Sequence, residues 1–256
     1  MTDSPTRRSS RRSSRRRTSV VGVAGEVLIT LGVVVLLFIV WQQWFNDILV
    51  SGTTRSEASS LSQKLHDEAG AGPTTAPVDG DYGTPAITPA AKDGEAFGVL
   101  FVPRFGADYQ VPVDGGTGTA QTLDTGAAGH YDSTQMPGQV GNFAIAGHRT
   151  THGAPFANIA QLKIGDHIYV QTSKGYYTYT FRNLQYVKPT QVQVLQVVPD
   201  APTIDAASKD RLITLTSCNP KYSAAERIIA YGVFDSWRPL SAGPPAEIAS
   251  LATTKS

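Results

Sequence analysis

The chain has 256 residues, enough for one domain of ordinary size plus flanking segments, and its 22 basic and 21 acidic residues leave a formal net charge of +1. A balance this close to zero singles out no class of charged partner, and one cysteine in the whole chain excludes an intramolecular disulfide framework. The charge is unevenly spread, however: residues 1–19 carry Arg7, Arg8, Arg11, Arg12, Arg15, Arg16 and Arg17 against Asp3 alone, so the remainder is mildly acidic, with 15 basic and 20 acidic residues.

The basic head is followed by "VVGVAGEVLITLGVVVLLFIVW", Val20 to Trp41, which is apolar apart from Glu26 and Thr30. A helix of that length reaches roughly 33 Å, enough to cross a hydrocarbon core of about 30 Å. A cleaved signal peptide has a shorter apolar region and a small-residue cleavage site, whereas this run ends in "WQQWFND". Residues 1–19 therefore read as a cytoplasmic tail and 20–44 as a transmembrane signal anchor, with Trp41 and Trp44 at the far interface. Beside such a span the arginines act as a topology determinant, and no nucleic-acid partner is expected. The protein is expected in the cell membrane, single-pass, with everything after Trp44 extracytoplasmic.

Residues 45–95 read as a linker. The stretch from Ser51 to Phe97 is rich in Ser, Thr, Ala, Pro and Gly and short of large apolar side chains, with room for a short helix at Ser59 to Glu68. From 96 to 240 the texture changes to short β-branched and aromatic runs punctuated by Gly and Pro. Strands are predicted at 97–103, 108–113, 141–147, 167–173, 176–187, 191–198, 211–217 and 227–236; Tyr177, Tyr179 and Phe181 alternate with Thr178 and Thr180 in the period-2 pattern of a half-buried strand. "PFANIAQL", 155–162, allows a helical turn or two. About eight strands in this length predict an all-β barrel or sandwich. Residues 241–256 read as a flexible tail.

The lone cysteine, Cys218, closes the apolar run "RLITLT". A buried small hydrophobe is one reading; a free reactive thiol at a strand end is the other. Arg227 opens the next predicted strand. If the two strands pair antiparallel through "NPKYSAAE", the thiol and guanidinium meet at one sheet edge, where a permanent cation favours thiolate and its N–H groups suit an oxyanion. A cysteine nucleophile needs an acid–base partner. Of five histidines, His148 is the best placed, at the exit of the apolar strand "NFAIAG". His148 and His152 also have the spacing of a metal pair, but Gly153 and Pro155 oppose a helix and no third ligand is near in sequence, so no metal and no cofactor are expected.

Together "AGH" at 146–148, "TLTSC" at 214–218 and an arginine nine residues after the cysteine resemble the sortase family of Gram-positive cysteine transpeptidases, over about residues 96–238. The family pattern has Thr before the cysteine, where this chain has Ser217. "FVPRFGADYQVPV", "GHYDSTQMPGQVGNFAIAGHRTTHGAPF" and "CNPKYSAAERIIAYG" are similar to class E sortases of actinobacteria. The resemblance implies a closed eight-stranded sortase barrel with short helices and three catalytic residues, Cys218, His148 and Arg227. It implies cleavage of a C-terminal LAXTG- or LPXTG-type sorting motif between Thr and Gly in a secreted protein. The acyl group then passes to an amine of a peptidoglycan precursor or stem peptide, in housekeeping anchoring of surface proteins. Tyr131 is the candidate for choosing between the motifs, and Thr216 and Ser217 for supporting substrate or oxyanion. The alternatives are another wall-directed cysteine peptidase or L,D-transpeptidase-like enzyme, a pilin-polymerising sortase, or a surface binding domain with a structural thiol.

Overall fold

The computed structural model describes residues 19–70, 80–201 and 209–252, with the side chains of 42–49 outside that description. The expectations for the arginine-rich head and for Trp44 therefore lie outside the described residues. Two compact units are present, one up to Trp44 and the other from Phe45 onward. The described part of the first unit is helical, within α1 (Val20–Glu68). Its stretch Val20–Trp41 has a mean hydropathy of 2.7 and the length to cross a membrane.

The second unit is a closed barrel of eight strands: β1 (Ala96–Phe101), β2 (Gln110–Gly115), β3 (Ala128–His130), β4 (Gly141–Ala146), β5 (His167–Thr172), β6 (Gly175–Val187), β7 (Arg211–Asn219) and β8 (Glu226–Arg238). The order around the barrel is β1-β2-β3-β4-β7-β8-β6-β5, which returns to β1. Neighbours run antiparallel except for the pairs β2–β3 and β4–β7. Period-2 alternation sends Leu100, Phe143, Ile145, Tyr177, Tyr179, Ile213 and Leu215 into one buried core.

Two strand expectations differ from the structure. The three-residue β3 gives too short a run to show alternation. The segment 191–198 alternates without being a strand: Val192–Leu195 is a 3-10 turn. Its backbone is held instead by Asn142 of β4, whose Nδ2 donates to the Val194 and Gln196 carbonyls at 3.2 and 3.1 Å. The 155–162 helix is realised only as the 3-10 turn Ile159–Gln161.

Both flanking segments are more ordered than their composition suggests. The part of α1 from Ser51 to Glu68, expected as linker with a short helix, is helical throughout. Thr54, Ala58, Ser62 and Leu65, three or four residues apart on one helical face, are buried. Small side chains let that face approach the barrel, where Ala58 packs in a cluster with Val99, Phe101, Tyr169 and Tyr176. Ser62 Oγ donates to Gln171 Oε1 at 2.7 Å, and Gln171 Nε2 returns a bond to the Ser62 carbonyl at 3.1 Å. The helix ends at Glu68 and its closing turn reaches Gly70, whose φ of +61° suits a residue without Cβ. The expected flexible tail is likewise folded as far as Ala252, because Leu240, Ile248 and Ala252 join the same apolar cluster.

Candidate active site

Strand registers assemble the site. In the parallel β4–β7 pair, Ala144 lies against Thr214 and Ala146 against Thr216, and the Gly147 N–H donates to the Thr216 carbonyl at 3.1 Å. Two residues beyond the last pair, His148 leaves β4 at the level of Cys218. On the other side of β7, Cys218 is the register partner of Arg227 at the start of β8. The three residues singled out from sequence thus occupy one rung at one end of the barrel, on three adjacent strands. Cys218 is a free, partly exposed thiol, unlike a sealed core cysteine.

Local chemistry explains the "AGH" turn. A Cβ on Gly147 would come within 2.9 Å of the Phe156 ring, so the chain can pass over this buried ring only as glycine. The Phe156 N–H then donates to the His148 carbonyl at 3.0 Å and holds the turn.

Parity sorts the "TLTSC" run. Ile213 and Leu215 enter the core, so Thr214, Thr216 and Cys218 share the opposite face. On it the hydroxyls of Tyr131 and Thr216 are 3.0 Å apart and hydrogen-bonded, so two expected substrate contacts stand together on the thiol's side of β7. Ser217 has the other parity and is buried, and its Oγ donates to the Gly147 carbonyl at 2.7 Å. That bond ties β7 to the turn before His148.

Arg227 is turned toward its own connection, where Nη1 donates to the Ala224 and Glu226 carbonyls at 3.1 and 3.0 Å. Its other guanidinium nitrogens make no hydrogen bond among the described residues.

Three further residues stand at this end; Asp124 and Arg149 escaped the sequence reading, and His152 was weighed there only as a metal partner of His148. Asp124, in the 3-10 turn Leu123–Thr125, places Oδ1 2.8 Å from His148 Nε2, supplying the carboxylate partner that the sequence did not reveal. His152, in a left-handed backbone conformation, stacks its ring on His148 at a centroid distance of 4.9 Å. Arg149 is buried; Nε donates to the Ala157 carbonyl at 3.3 Å, and Nη1 lies 3.3 and 3.4 Å from the Cys218 carbonyl and Asn219 Oδ1. Burial lowers the Arg149 pKa, with Tyr186 and Cys218 opposing that shift. It fixes the backbone at the end of β7. Its only sequence signal was adjacency to His148.

Comparison with known proteins follows the same residues. The Sortase domain family model matches residues 100–235. Sortase SrtE1 of Streptomyces coelicolor is 33% identical over 233 residues, covering 88% of this chain and 60% of that protein. Sortase SrtE2 of the same organism is 32% identical over 232 residues, covering 88% of this chain and 86% of that one. This chain therefore spans less than two thirds of the first relative's length. Among solved structures, the SrtA sortase from Actinomyces oris is 39% identical with a TM-score of 0.60, covering 65% of this chain and 94% of that one. Sortase E1 from Streptomyces coelicolor, solved with a tripeptide in its active site, is 35% identical with a TM-score of 0.56, covering 62% and 99%.

Proposed function

The chain belongs to the sortase family, and from that premise we propose that it is a class E-like cysteine transpeptidase, with Cys218, His148 and Arg227 as its catalytic residues. The observation that carries this reading is the shared rung: β4 and β8 flank β7 in registers that set the backbone positions of His148 and Arg227 on either side of Cys218.

In the proposed reaction, the Cys218 thiolate attacks the threonine carbonyl of a sorting motif, and charge develops on the carbonyl oxygen. Arg227, whose uncommitted guanidinium nitrogens are available as donors, steadies that oxyanion. The His148 imidazolium protonates the departing glycine amine, the C–N bond breaks, and a thioester to Cys218 remains. An incoming amine attacks the thioester while neutral His148 takes its proton, and the thiolate leaves. Asp124 accepts a hydrogen bond from Nε2–H of His148, which orients the ring and leaves Nδ1 for proton transfer. Bond energy passes from amide to thioester to amide, so no ATP is required.

The preferred substrate is proposed to be a secreted protein with an LAXTG-type signal, and the acceptor a wall-precursor or stem-peptide amine. The hydrogen-bonded Tyr131–Thr216 pair supports this choice, because it sets a polar, rigid wall on the thiol's face of β7. Val20–Trp41 is proposed as the single membrane anchor, with the arginine-rich head cytoplasmic and the barrel outside.

The test uses the full chain in detergent, because truncation near Gly94 would strip Ala58, Ser62 and Leu65 from the barrel. Peptides differing only in LAXTG against LPXTG are incubated with a glycine-type amine and followed by mass spectrometry. Cleavage at Thr-Gly with transfer to the amine supports the reading, and the faster peptide tests the class E preference. A folded protein that never forms an acyl adduct on Cys218 with either peptide overturns it.

A further inference from the structure

Asp124, His148 and His152 each offer one ligand atom, and these atoms all lie within 4.8 Å of one another. Asp124 Oδ1 is 2.8 Å from His148 Nε2 and 3.6 Å from His152 Nδ1. The second distance exceeds a hydrogen bond, and His152 Nδ1 is buried without a partner. A nitrogen lone pair or N–H shut off from water is costly to leave unmatched, and here it lies beside a carboxylate that already serves another imidazole. Ligands around a tetrahedral zinc ion stand about 3.4 Å apart when each is ~2.1 Å from the metal. The cluster brackets that spacing and needs only side-chain adjustment to match it. Two imidazoles and one carboxylate suit zinc-class ions, whereas hard ions such as Mg²⁺ and Ca²⁺ favour all-oxygen sets.

We propose that Asp124, His148 and His152 form a binding site for a divalent transition-metal ion of the zinc class, and that its occupancy takes His148 out of catalysis. Metal at Nε2 displaces the proton shared with Asp124. The imidazole then carries hydrogen only on Nδ1 and, because losing it would leave a metal-bound imidazolate, it is a far weaker acid than the free imidazolium. The leaving amine is then not protonated, and turnover stops until the ion is withdrawn. This inhibitory half rests on the acid–base role proposed for His148; the binding half does not.

Zn²⁺ is titrated calorimetrically into the full, tag-free chain, its Cys218→Ala variant and a His152→Asn variant; Asn tolerates the left-handed backbone that His152 adopts. Peptide cleavage is followed in parallel with Zn²⁺, Mg²⁺ or EDTA. The expected result is one Zn²⁺ bound per chain in the parent and in Cys218→Ala. His152→Asn should weaken binding by more than the roughly 10- to 100-fold that loss of a group merely hydrogen-bonded to a ligand costs. Zn²⁺ should inhibit the parent reversibly and Mg²⁺ should not, while the turnover that His152→Asn shows in EDTA should resist added Zn²⁺. Binding unchanged in His152→Asn, or lost in Cys218→Ala, overturns the site, the latter by assigning the ion to the thiol. Tight binding with undiminished turnover leaves the site standing and overturns both the inhibition and the role of His148. A chain without peptide cleavage under any condition fails the proposed function, while the calorimetry still decides the site.

Discussion

Replacing Asp124 by Asn keeps the size of the side chain and a hydrogen-bonding oxygen but removes its charge. The carboxylate is 2.8 Å from His148 Nε2, with side-chain exposures of 38% for Asp124 and 23% for His148. Exposed ion pairs are worth ~0.2–1 kcal/mol, whereas a shielded hydrogen bond to a charged group reaches about 1.5–3 kcal/mol. This half-covered pair falls between, at ~1–2 kcal/mol, or roughly a 5- to 30-fold loss. It should appear in kcat/KM, which reports formation of the acyl-enzyme. The leaving group supplies the decisive control. An amide nitrogen must be protonated as it departs, while the alcohol of a matched ester substrate leaves with less help. Asp124→Asn should therefore impair the amide more than the ester, with an unchanged melting temperature. Equal losses on both substrates, or no loss on the amide, would refute the argument that Asp124 acts through the proton on His148.

Cys218→Ala should abolish acylation while leaving the melting temperature nearly unchanged, because the thiol is partly exposed and carries no packing role; residual acyl transfer seen by mass spectrometry would sink the mechanism. Arg227→Lys keeps the charge but loses the planar fork of donors, so kcat/KM should fall severely; near-parental turnover would reduce Arg227 to a general electrostatic role. Burial, and then Glu57, push the Asp114 carboxyl up to about 7. Its folded value lies above the ~3.9 of an unfolded chain, so its stabilisation is complete below about pH 4 and is lost as the pH rises through about 7. Asp114→Asn should flatten that fall in denaturant midpoint, gaining ~2–4 kcal/mol above pH 7 relative to the parent; parallel pH curves would show that this carboxyl does not drive it. Ser62→Ala leaves Gln171 Oε1 buried without its donor, which should cost ~1–3 kcal/mol in chemical denaturation. An unchanged midpoint would mean that the helix does not rest on this bond.

The barrel strands that lead to His148, Cys218 and Arg227 were legible because each is long enough to alternate and is bounded by Gly, Pro or a charged turn. Tyr177, Tyr179 and Phe181 show the core face of β6 directly, and "RLITLT" leads into Cys218. Segment 191–198 alternates equally well, yet its Val194 and Gln196 carbonyls are taken by the Asn142 side chain, a partner that no local pattern shows. The helical face from Thr54 to Leu65 was hidden for the opposite reason. Ser, Thr and Ala resemble a linker in composition, but on a helix their small size permits the close approach that buries Ala58 and Ser62. Burial there comes from a surface the chain builds later, β1 and β5 with the C-terminal segment, and no local pattern announces it.

The site divides along the same physical line. Cys218, Arg227 and His148 are each marked by a strand end, and antiparallel pairing of β7 with β8 already fixes the relation of the first two. The parallel register of β4 with β7, which brings in His148, is not a local property of either strand. Asp124 lies further from reach, 24 residues before the histidine it meets, in a turn without strand or helix signature. Its position follows from topology once known. Because β3 runs antiparallel to β4, with Gly129 against Ala146, chain upstream of β3 lies beside chain downstream of β4. The turn that precedes β3 thus delivers its carboxylate to the residue that follows "AG". The same geometry brings His152 to that carboxylate and turns a pair of histidines, dismissed from sequence for want of a third ligand, into a three-ligand cluster. What the sequence lacked was the neighbour across the sheet.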